Sequence, residues 1–122
     1  MVVTTGVQKR TFDEPDETRT AGTGSSRIIN AARVGLMQVT LPPGWQWSKD
    51  VRPLTHTDSC QAPHLIYVLS GRIHVRLEDG TEDEFGPTDV GVVPPGHDAW
   101  TIGDEPVVYL DVTGNQIWAK PA

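Results

Sequence analysis

The chain has 122 residues and one cysteine, enough for one domain with a real core and too few thiols for an internal disulfide. Its net charge of −6, with no cluster of Lys and Arg, excludes nucleic acid and an anionic membrane surface as partners. Ten prolines and twelve glycines mark many turns and short elements, which favours a sandwich or barrel over a helical bundle.

The start of the sequence lacks a basic stretch followed by an apolar one, and no apolar run reaches membrane-spanning length. The expectation is a cytoplasmic protein without a membrane segment. Residues 1–26 are rich in Thr, Gly, Ser, Asp and Glu, and Ala21 to Ser26 reads as a connector. This segment is expected to be flexible, or to form an arm in which Val2, Val3 and Val7 pair with another subunit. The domain proper is expected over 27–122.

Val34 to Leu41 is a strand with Met37, Val39 and Leu41 on one face, stopped by Pro42, Pro43 and Gly44. Trp45 to Ser48 begins another, its two tryptophans on one face as core or interface packing. Leu54 to Cys60 follows, and strand spacing puts His56, Asp58 and Cys60 on one face. Gln61 to Pro63 is a break, after which His64 to Leu69 is a strand. Fully extended, Cys60 and His64 would stand roughly 13 Å apart, so a turn here decides whether they meet.

Ser70 and Gly71 reverse the chain into the alternating strand Arg72 to Leu77, with Ile73, Val75 and Leu77 inward and His74 outward. Asp79 and Gly80 mark a hairpin into the acidic edge strand Thr81 to Phe85. Asp89 to Val93 is apolar. Pro94, Pro95 and Gly96 turn the chain and set His97 at the mouth of Ala99 to Ile102. Asp98 and Trp100 take the opposite face from His97, suited to packing or capping. Val107 to Val112 closes the set, and Gln116 to Trp118 is a candidate final strand. About nine short strands with turn chemistry between them define an all-β chain.

These residues resemble the cupin superfamily. Gly71 fits the glycine closing that family's first motif, which puts His64 at the glutamate position and Cys60 and Asp58 where a histidine pair usually sits. Gly86, Pro94 and Gly96 fit the second motif, whose histidine position falls on Ala99, one strand step from His97. The match spans about Val34 to Val112 and is similar to a subgroup of small bacterial single-domain cupins. The resemblance implies a double-stranded β-helix, or jelly roll, with a pocket between two sheets. It also implies a frequent metal ion and a homodimer.

Cys60, His64 and His97 are the expected metal ligands, because thiolate and imidazole together suit Zn, Ni, Fe or Cu. His56 and Asp58 are expected to complete the shell or move protons, and so are the candidate catalytic residues. The competing reading makes Cys60 a buried small hydrophobe and the histidines hydrogen-bonding groups only. A further reading, Cys60 as nucleophile with His64 as base, lacks an evident orienting third group. The expected function is a small metal-binding cupin acting on an organic small molecule, with the ion as Lewis acid in cyclase, isomerase or lyase chemistry rather than dioxygenase chemistry. The alternative is a non-catalytic small-molecule binding or sensor module without metal.

Overall fold

The computed structural model of the chain describes residues 6–112. Nine strands and two one-turn helices lie among them. The strands are β1 (Glu17–Ala21), β2 (Gly24–Ala31), β3 (Val34–Leu41), β4 (His64–Ser70), β5 (Arg72–Leu77), β6 (Glu82–Phe85), β7 (Val90–Val93), β8 (His97–Ile102) and β9 (Val107–Asp111). The helices α1 (Trp47–Asp50) and α2 (Arg52–Thr55) lie between β3 and β4. The ladders are antiparallel throughout, in a six-stranded sheet of order β1-β2-β3-β9-β4-β7 and a three-stranded sheet of order β6-β5-β8. No helix of the described residues is long and apolar enough to cross a membrane.

Alternation in the sequence sets the layers. Met37, Val39 and Leu41 of β3, Ile66 and Val68 of β4, and Val107 and Tyr109 of β9 turn one face of the large sheet inward. Ile73 and Val75 of β5 and Ala99 of β8 turn one face of the small sheet toward them, and all of these join a single apolar cluster. Gly71 makes the turn that separates the sheets, at φ 73° and against β9. A Cβ there would lie 2.2 Å from the Pro106 carbonyl oxygen, so only glycine fits.

The sheet begins earlier than the sequence suggests. Glu17 pairs with Ile28, so the stretch expected as a flexible arm up to residue 26 contains β1 and the first residues of β2. The expected connector from Ala21 to Ser26 is a tight hairpin that seats Trp45. The indole Nε1–H donates to the Ala21 carbonyl at 3.0 Å, and Gly24 leaves room for the ring: a Cβ there would stand 2.7 Å from Nε1. Val7 is fully exposed. Val2, Val3 and the candidate strand from Gln116 to Trp118 lie outside the described residues.

The second departure is between β3 and β4. Trp45 to Ser48 and Leu54 to Cys60 were expected as strands, but the chain forms α1 and α2 instead. Asp98 caps α1, accepting from the Ser48 backbone N–H at 3.0 Å and from Gln46 Nε2 at 2.9 Å. Pro53 stands in the first turn of α2, where its missing N–H costs no helical bond.

Candidate metal centre

The break at Gln61 to Pro63 does turn the chain. Cys60 forms an isolated antiparallel bridge with His97: its N–H donates to the His97 carbonyl at 2.7 Å, and its own carbonyl accepts from Gly96 N–H at 2.7 Å. His64 enters β4 four residues later with its side chain inward. Three elements thus aim three metal-ligating groups at one point, and their donor atoms lie within 4.8 Å of one another. All three residues are buried. Cys60 Sγ stands 3.8 Å from His64 Nε2, and the two imidazoles meet edge to face with centroids 5.0 Å apart.

Each histidine is fixed from behind. His64 Nδ1–H donates to Asp111 Oδ2, and His97 Nδ1–H donates to the Pro94 carbonyl at 2.9 Å. In the neutral rings this leaves Nε2 as the lone-pair atom, the form in which imidazole binds a metal. Asp111 is fully buried on β9, opposite Ile66 of β4. Sequence reasoning missed it. The available signal was parity: Val107, Tyr109 and Asp111 share the inward face of one strand, so a carboxylate sits in an apolar row.

The electrostatics follow from these contacts. Burial pushes the Cys60 thiol up, but hydrogen bonds and charge from His64 and His97 outweigh it and bring the pKa to about 6. Burial likewise opposes a charged His64, but Asp111 and Cys60 outweigh it and raise the ring to about 9. The pair is therefore a thiolate beside an imidazolium at neutral pH. Tyr109, fully buried, has its phenol pushed well above the ordinary range by burial, and further by the charges of Asp111 and Cys60.

The donor set fits a transition-metal ion. A tetrahedron with bonds of ~2.0–2.3 Å has an edge of ~3.5 Å. The Cys60–His64 separation of 3.8 Å is already close to it. The cavity beside the donors is about 20 Å³, bordered by Trp45, Trp47, Ile66, Val75 and Tyr109 among others.

His56 and Asp58 are not brought to this point. The strand parity that grouped them with Cys60 fails because α2 ends at His56, whose left-handed backbone, at φ 59°, turns it outward. Its side chain is exposed. Asp58 is nearly wholly exposed and pairs with Arg52 at 3.2 Å. Neither of these two expected catalytic residues lines the cavity, so the structure does not bring them to the three donors. His74 takes the outward side as expected, stacked on Trp100 with centroids 4.6 Å apart. Tyr67 is half exposed on the outer face of the large sheet.

No family model matches the chain, and no curated protein matches it in sequence. Solved structures match its fold. A Rhizobium leguminosarum protein of unknown function is 19% identical over 96% of this chain and 99% of that one, with a TM-score of 0.62. The cupin-superfamily sugar phosphate isomerase from Silicibacter pomeroyi is 21% identical over 86% of this chain and 74% of that one, with a TM-score of 0.61. The polyketide cyclase RemF from Streptomyces resistomycificus is 18% identical over 88% of this chain and 79% of that one, with a TM-score of 0.62. With two antiparallel sheets closing on one core and these structures as neighbours, the chain has the fold of a small cupin.

Proposed function

We propose that Cys60, His64 and His97 hold one divalent transition-metal ion, Zn, Ni, Fe or Cu, and that the protein uses it in non-redox chemistry on a small molecule. The observation that carries this is the convergence of one thiolate and two imidazoles within 4.8 Å, inside the sandwich. A splayed arrangement would have favoured the alternative, a metal-free binding module. The ion, when bound, supplies Lewis acidity that polarises an oxygen of the substrate. The chain's own residues do the rest. Asp111 and the Pro94 carbonyl hold both rings with Nε2 forward. Cys60 contributes negative charge to a site otherwise lined by apolar groups. Trp45 and Trp47, each 2% exposed, keep bulk water out. Support for isomerase or cyclase chemistry comes only from the fold shared with two such enzymes. A reducing cytoplasm suits a thiolate ligand.

We also propose a homodimer. Leu65, Tyr67 and Leu69 of β4 lie beside Val90 and Val92 of β7 on the outer face of the large sheet, with Leu65 opposite Val92 and Tyr67 opposite Val90. A second copy of the same uncharged patch is its natural cover.

A second reading keeps Cys60 as a nucleophile with His64 as base, and Asp111 now supplies the orienting group that reading lacked. Metal analysis separates the two. The protein, purified untagged, is expected to carry or take up about one ion per chain, and Cys60→Ala and His64→Ala to lose it. Failure to bind Zn, Ni, Fe or Cu on reconstitution would sink the metal proposal and leave the nucleophile and the metal-free binding module.

A further inference from the structure

We infer that the space beside the three donors takes a ligand of about one or two heavy atoms, of the class of water, hydroxide or cyanide, and shuts out organic rings and chains. The inference rests on the metal reading above and narrows its substrate class to molecules far smaller than those of an isomerase or cyclase. The fold shared with such enzymes therefore does not carry their chemistry here. A pocket for an organic ligand encloses ~300–1,000 Å³, whereas a single water needs only ~10–15 Å³. The cavity here, about 20 Å³, is lined by Cys60, His64 and His97 themselves and must hold the ion as well, so it belongs to the second kind.

The wall that keeps it small is held from several sides. Trp45 is tied to the β1–β2 hairpin through Nε1 and Ala21, and its ring fills the space left by Gly24. Its backbone carbonyl accepts from Thr101 N–H at 3.1 Å, and Gln46 bridges Trp100 of β8. Trp47 rides on α1, which Asp98 ties to β8 through Ser48 and Gln46. Asp98 is the neighbour of His97 on the opposite face of the strand, so the strand that presents one donor also anchors the wall. Trp45 borders an outer groove of about 400 Å³ as well, lined by Gln46, Arg76 and Trp100 among others. That groove has the volume for an organic molecule, and Trp45 stands between it and the donors.

The test uses the full chain loaded with cobalt(II), whose thiolate charge-transfer and visible bands report ligands at the ion. Cobalt content is measured in the same samples. Cyanide is expected to shift these bands saturably, and imidazole to act about a hundredfold more weakly or not at all. In Trp45→Ala, imidazole is expected to shift them as cyanide does. Trp47→Ala serves as the second variant if Trp45→Ala does not fold. Saturable binding of imidazole to the wild-type cobalt protein, at an affinity like that of cyanide, would overturn the inference while leaving the metal reading intact. So would a cobalt protein that responds to neither ligand. A chain that takes up no cobalt overturns the metal reading and the inference together.

Discussion

His64 has a polar partner at each ring nitrogen, Asp111 at Nδ1 and Cys60 at Nε2. In the metal-free protein Cys60 titrates near 6 and His64 near 9, so between these values the pair holds one proton. An ion bound to both must displace it. This pair alone therefore makes metal affinity rise about tenfold per pH unit from about 6 to about 9, and the rise stops above that, where His64 is already neutral. Asp111→Asn removes the charge that favours the imidazolium, so the levelling begins below 9. Loss of ring orientation also weakens binding about 10–100-fold. Competition titrations against a chromogenic chelator across pH check both effects, with circular dichroism as the control for folding. An unchanged affinity in Asp111→Asn would contradict the role given to it. At this scale the three converging side chains were legible because Cys, His and His are chemically conspicuous. Asp111 was not, because a lone Asp near a strand end reads as solvated charge until the sheet shows which face it occupies.

The elements that frame the site differ in how plainly they are written. β4, β5 and β8 alternate cleanly, and parity placed His74 outward and Asp98 and Trp100 on the face opposite His97, whereas the approach of His64 to Cys60 depended on the turn at Gln61 to Pro63. The stretch from Trp45 to Thr55 misleads because its apolar residues fit strand spacing while its turns are set by remote partners. Asp98, some fifty residues away, caps α1. Likewise β1 and β2 look like a linker because their inward positions are small: Ala21, Gly24 and Ser26 are all buried. At Gly24 that smallness is a packing requirement, since Trp45 occupies the space. Gly24→Ala is accordingly expected to destabilise the fold by about 1–3 kcal/mol through overpacking against Trp45 and Leu41. Urea unfolding with the midpoint lowered at unchanged slope would show it. A midpoint equal to wild type would mean that Trp45 is free to move, and would weaken the case for a closed wall.

Across the whole molecule, the scaffold holds the site rather than the reverse. Met37, Leu41, Val68 and Val107 are completely buried, each contributing about 1.5–3 kcal/mol, so the fold has a source of stability independent of an ion. Homodimerisation belongs at this scale too. Val92 is 77% exposed and Val90 62%, beside Leu65 and Tyr67 on one uncharged face. Sedimentation equilibrium is expected to give a dimer for the wild type and a monomer for Val92→Lys, whose folding is checked by circular dichroism. A monomeric wild type would contradict the assignment. The cupin architecture itself was legible from turn spacing and from Gly71, Pro94 and Gly96. The number of sheet strands before residue 27 was not.

One sulfur and two imidazoles are proposed to converge on one ion. X-ray absorption of the zinc-loaded protein addresses this directly. The expected first shell holds one sulfur at ~2.3 Å and two imidazole nitrogens at ~2.0–2.1 Å, with the sulfur lost in Cys60→Ala. A shell of nitrogen and oxygen alone in the wild type would contradict the account, because Cys60 would then be a buried thiol beside the metal and not its ligand.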